Sequence, residues 1–125
     1  MAQPGAVVSV NLDTQEAALA AYPQLQRIID MRAAGWRFSL VSHGGIAQVK
    51  GIYVWHTTSL PWGDLIQIRN SDDAAAIRLT PAKELVWKYE GDMAGAIDAL
   101  LELPHPDQHN APRLAIGTVR GLWTP

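Results

Sequence analysis

The stretch Gly35–Thr57, GWRFSLVSHGGIAQVKGIYVWHT, decides how this chain folds. Trp36, Phe38 and Leu40 alternate with Arg37, Ser39 and Val41, the period of a half-buried strand. Gly44-Gly45 follows, a dipeptide that tolerates the positive φ values of a type I′ turn. A two-residue turn there pairs His43 with Ile46, Leu40 with Val49, Phe38 with Gly51 and Trp36 with Tyr53. Phe38 then covers the bare backbone of Gly51. A slip of one residue sets Phe38 against Lys50 and Leu40 against Gln48, turning every side chain to the wrong face. The expected second face of the hairpin carries Arg37 opposite Ile52 and Ser39 opposite Lys50.

Toward the N-terminus, residues 1–12 read as a loose arm. Asp13 with Glu16 three residues on has the spacing of a capping box. The helix it opens runs to Ala34 and contains Pro23, so it either restarts at Pro23 or kinks there. Its expected apolar stripe is Tyr22, Leu25, Ile28, Ile29 and Ala33, and Gly35 stops it.

Beyond the hairpin, residues 58–64 form a turn-rich connector. Residues 65–70 read as a third strand with Ile66 and Ile68 inward. Residues 74–80 read as a fourth with Ala75, Ile77 and Leu79 inward, and residues 85–90 as a fifth with Leu85, Trp87 and Tyr89 inward. Gly91-Asp92 caps a second helix over 93–103, with Met93, Ala96, Ile97, Leu100 and Leu101 as its stripe, and Pro104 ends it. Residues 104–112 are a proline-rich loop. An edge strand within 113–119 and a tail holding Trp123 follow.

The fold class expected is α+β. It is a two-layer sandwich in which an antiparallel meander of about five strands carries a helix before it and a helix after it, both packed on one face. The whole chain, 1–125, is one domain: an arm over 1–12, a helix-sheet-helix core over 13–103, and a loop, edge strand and tail over 104–125. Six of the nine aromatics fall on the inward phase, namely Trp36, Phe38, Tyr53, Trp55, Trp87 and Tyr89.

Composition narrows the function classes. The absence of cysteine excludes disulfides, thiolate zinc sites and a cysteine nucleophile, and fits a cytoplasmic location. No apolar run approaches the roughly 20 residues of a membrane span. Residues 1–10 lack the basic start and apolar core of a secretory signal, so none is expected. The formal net charge of −2 argues against a dedicated nucleic-acid binder.

No convergent catalytic set is legible. His43 and His56 fall at opposite ends of the second strand, which at about 3.3 Å per residue places them too far apart to share a metal. His105 and His109, with Asp107 between them, resemble a weak metal site, but lack further ligands and are better explained as loop residues. His43-Gly44-Gly45 is similar to an esterase oxyanion loop, yet no G-x-S-x-G motif accompanies it and the turn already requires both glycines. Asp64 precedes the third strand and Asp72-Asp73 follows it, a separation of roughly 17–20 Å that no catalytic carboxylate pair uses. Neither a P-loop, a dinucleotide fingerprint, HExxH nor an EF-hand loop is present. No metal or cofactor is therefore expected, and the reading leans away from an enzyme.

The outward sheet face is more informative. Arg37, Gln48, Lys50, Gln67, Arg69, Arg78 and Lys88 are expected on it, with Glu90 as its acid. Long polar residues ordinarily decorate the wet face of an antiparallel sheet. The same face also holds Val41, Ile52, Val54 and Val86, and an apolar patch beside basic residues is what a partner surface looks like. The expected binding residues are Arg37, Gln48, Lys50, Ile52, Val54, Gln67, Arg69, Arg78 and Lys88. The leading expectation is a non-enzymatic protein-interaction or regulatory domain, most simply a homodimer. Nucleic-acid or acidic-ligand binding on that face comes second. An enzyme or ligand binder with a pocket between helices and sheet, using Tyr53, His56 or Asp64, comes third. Helix, antiparallel sheet, helix also resembles the layout of double-stranded RNA-binding domains. The resemblance stays at topology, because Met93-Ala94-Gly95-Ala96 is neutral where such domains begin their second helix with basic residues.

Overall fold

Strand β1 (Arg37–His43) returns as β2 (Ile46–Trp55) in the register derived from the sequence, with Phe38 opposite Gly51, Leu40 opposite Val49 and His43 opposite Ile46. A computed structural model describes residues 24–43 and 46–118. The N-terminal arm, the Asp13/Glu16 pair, Tyr22, Pro23, the turn glycines Gly44 and Gly45, and the Trp123 tail lie outside the described residues.

The chain continues as an antiparallel meander through β3 (Trp62–Asn70), β4 (Asp73–Leu79) and β5 (Glu84–Gly91). A two-residue β6 (Gly117–Thr118) pairs with Glu84 and Leu85 at the far edge. Helix α1 (Gln24–Ala33) precedes the sheet and α2 (Met93–Glu102) follows it. Both pack on the same face, giving a two-layer α+β sandwich.

Each helix ends for a local reason. Gly35 adopts φ +112°, and Trp36 N–H donates to the Met31 carbonyl at 3.0 Å, the long bond of a glycine-terminated helix end. Asp92 caps α2, its side chain accepting from Gly95 N–H at 2.7 Å. The stripe of α2 is as expected at Met93, Ala96, Ile97 and Leu100, whereas Leu101 is exposed. In α1 it is Met31 that is buried, with Ile28 packed beside it, and Ala33 is exposed.

The covered face holds Trp36, Ile66, Ile68, Ala74 and Ala76 against Met31, Met93, Ala96, Ile97 and Leu100. Its aromatics form a chain along the hairpin. Trp36 lies 6.1 Å from Phe38 and 5.6 Å from Tyr53, and Tyr53 lies 4.7 Å from Trp55. Trp87 and Tyr89 are inward as expected, but only partly buried at the edge of this core.

Two expectations are corrected. In β4 the residues facing the helices are Ala74, Ala76 and Arg78, not Ala75, Ile77 and Leu79: Ala76 stands opposite Ile66, and Arg78 opposite Asp64. Strand β3 also begins earlier, so Asp64 lies within it, opposite Tyr53, rather than in a connector. The two errors share one cause. A carboxylate and a guanidinium face the core together, and polarity alone assigns each of them to water. A register shift between Arg78 and Leu79 then sets Leu79 opposite Leu85, so the alternation does not run unbroken into the start of β5.

Gly51 has no room for a side chain: a Cβ there meets the Phe38 ring and comes within 2.9 Å of Ile66. Gly51→Val is expected to destabilise by about 1–3 kcal/mol, the usual cost of overpacking a filled site. The denaturant midpoint should fall with little change in slope. Wild-type stability in this variant would show that Phe38 does not cover the Gly51 backbone.

Candidate functional site

The sheet's second face carries a cross-strand row. The registers align Arg37, Ile52, Leu65, Ile77 and Lys88 across β1 to β5. Three apolar residues are thus bracketed by a cation at either end. Ile77 is buried, Leu65 half-buried, and Ile52 is 37% exposed, with Val54 further along β2 at 47%. The next row aligns Ser39, Lys50, Gln67, Ala75 and Glu90. Here Gln67 donates its amide to Gln48, and both side chains are buried. This pairing is how two amides tolerate burial.

Of the residues expected on this face, Arg37, Gln48, Lys50, Ile52, Val54, Gln67 and Lys88 lie on it. Arg69 sits at a register shift, exposed and paired with Asp73 at 3.0 Å. Arg78 is on the opposite face and wholly buried. The face is less basic than its letters imply.

On the covered side, Arg78 and Asp64 form a bidentate pair. Nε of Arg78 donates to Oδ1 of Asp64 at 2.6 Å and Nη2 to Oδ2 at 2.8 Å, with side-chain exposures of 0% and 1%. Trp55 Nε1 donates to the same Oδ2 at 2.8 Å, and Arg78 Nη1 donates to the Pro104 carbonyl at 2.5 Å. The guanidinium carbon lies 5.7 Å from the centre of the Trp55 ring, whose edge contact with His105 has centroids 5.0 Å apart. One network therefore spans β2, β3, β4 and the segment after α2.

That segment is a loop with a solvated tip, residues 107–110 being exposed, and two buried anchor points. Pro106 and Ala111 are buried, and the backbone turns through Gln108 N–H to the His105 carbonyl at 2.8 Å and Ala111 N–H to the Gln108 carbonyl at 3.0 Å. Asp107 accepts from Thr58 N–H at 3.1 Å, and its own N–H donates to His105 Nδ1 at 3.0 Å. Arg113 Nη2 donates to the Gln108 carbonyl at 2.6 Å and, at 3.5 Å, to that of Pro106. A groove of about 370 Å³ results, lined by Thr58, Ser59, Trp62, Pro106, Asp107 and Arg113.

The residues considered for an enzymatic pocket do not converge. Asp64 is engaged by Arg78 and Trp55, Tyr53 is packed between a tilted Trp36 ring and the edge-on Trp55 ring, and His56 is exposed. Among the described residues no three His, Cys, Asp or Glu side chains gather as metal ligands, and no helix is long and apolar enough to cross a membrane. Of the groove residues only Asp107 draws notice in the sequence, as a carboxylate between two histidines; the others lie in the connector, the proline-rich loop and the start of the expected edge strand, which composition does not bring together. Comparison with family models, curated proteins and solved structures finds no match for this chain.

Removing one member of the buried pair leaves the other charged and uncompensated. Arg78→Leu is expected to cost about 3–5 kcal/mol, whereas Asp64→Leu combined with Arg78→Leu recovers much of that loss. Urea denaturation of the wild type and three variants in a double-mutant cycle checks this. A cost below about 1 kcal/mol for Arg78→Leu, the size of a surface pair, would show the pair to be solvated.

Proposed function

We propose that this chain is a small non-enzymatic interaction domain that works through the second face of its sheet, and that the partner seated there is a second copy of itself. The observation that carries the reading is the row Arg37, Ile52, Leu65, Ile77, Lys88, with Ile52 and Val54 exposed beside it. A strand covered on one face alternates apolar with polar. Strand β2 keeps to that rule at Gln48 and Lys50 and breaks it at Ile52 and Val54, while Tyr53 and Trp55 fill the covered side. A two-fold pairing of identical patches is the commonest way for a chain to bury such a row, and it leaves Arg37 and Lys88 at the rim.

The nucleic-acid reading loses support, since Arg78 is spent on Asp64 and Arg69 on Asp73. Binding that fell steeply with salt would revive it.

Ile52→Lys combined with Val54→Lys is expected to leave the domain folded and abolish association. Light scattering and circular dichroism on wild type and variant check both halves. A wild type that stays monomeric at high concentration sinks the self-association reading.

A further inference from the structure

We propose that the groove beside residues 104–113 binds a small zwitterion, a free α-amino acid with an apolar or aromatic side chain. This site is separate from the sheet's second face and does not depend on the reading given to that face.

Two opposite charges line the groove, Asp107 and Arg113. Among the described residues neither lies within the 4.0 Å of an ion pair with the other or with any other charged group. Both are nevertheless held in place. Asp107 Oδ2 accepts from Thr58 N–H, and Arg113 Nη2 is fixed by two backbone carbonyls. A guanidinium oriented by neutral carbonyls keeps its full charge and has Nε and Nη1 left to donate.

The form of the ligand follows. A simple anion drawn to Arg113 also meets the carboxylate of Asp107, and a simple cation drawn to Asp107 meets Arg113. A molecule bearing an ammonium and a carboxylate matches both, and sitting between them it keeps the two side chains apart, as they are here. The hydroxyls of Thr58 and Ser59 offer neutral donors, while Trp62 and Pro106 provide apolar surface for a side chain. The volume, about 370 Å³, falls within the roughly 300–1,000 Å³ of small-molecule sites.

The test uses L-phenylalanine, N-acetyl-L-phenylalanine and L-phenylalaninamide as probes, followed by the backbone amide NMR shifts of Thr58, Ser59 and Asp107. L-phenylalanine is expected to saturate in about the millimolar range, because both charges are exposed to water. Each blocked derivative, lacking one charge, is expected to bind about tenfold or more weakly. Asp107→Asn is expected to abolish discrimination against the N-acetyl form, and Arg113→Gln discrimination against the amide. No saturable shift up to about 20 mM, or equal affinity for the three probes, overturns the proposal. If either variant fails to fold, the three probes on the wild-type protein still decide.

Discussion

A charge pair inside the covered layer governs how this sheet is put together. Arg78 and Asp64 are buried side by side between β3 and β4, joined by two short hydrogen bonds. Such a pair contributes little net stability, since the cost of removing both ions from water roughly cancels their attraction. Its effect is on alternatives. Slide β4 by one residue against β3 and Arg78 turns to the second face, leaving Asp64 buried and alone. An isolated buried charge is far more costly than a misplaced apolar side chain. Strand β4 has few large apolar residues on its covered side, only Ala74 and Ala76 beside Arg78, so packing alone would hold its register loosely.

The same pair marks where sequence reading stopped. The hairpin was legible because Gly51 leaves a space that Phe38, the residue opposite it, fills, and a one-residue slip sets Lys50 opposite Phe38 instead. Helix α2 was legible because Asp92 caps it and Met93, Ala96, Ile97 and Leu100 repeat at helical spacing. Strand β4 was not. Ala75, Ile77 and Leu79 alternate more convincingly than Ala74, Ala76 and Arg78, and both phases are partly buried because Ile77 on the second face is buried too. Only the knowledge that Asp64 stands opposite Arg78 decides between them, and that pairing is a tertiary fact. Alternation accordingly puts Ile52 and Val54 on the second face, where they lie, and puts Arg78 there too, although it lies on the covered face.

Burial on both faces also changes what the second face is. Gln48 and Gln67 satisfy each other there, and Ile77 and Val86 are buried. Among the described strand residues of that face, the exposed large apolar side chains are Ile52 and Val54, near the end of β2. An exposed pair such as Ile52 and Val54 would be unremarkable as scattered residues. Register joins Ile52 to Leu65 and Ile77, and with Val54 beside it on β2 it forms the open margin of a continuous apolar row.

The groove is a consequence of burying an arginine. A guanidinium carries five N–H donors, and one carboxylate takes two of them. At Arg78 a third is taken by the carbonyl of Pro104, the residue at which α2 can no longer continue. That bond brings the chain after the helix back across the end of the sheet, where His105 meets the Trp55 ring and Pro106 is buried. Asp107 then falls beside Thr58, and Arg113 beside the carbonyls of the same turn. A loop with no secondary structure is thus held by hydrogen bonds that lead back to one ion pair in the sheet. A proline that stops a helix and an arginine that faces inward, each unfavourable by itself, together place two charges, unpaired among the described residues, in a groove that Trp62 and Pro106 also line.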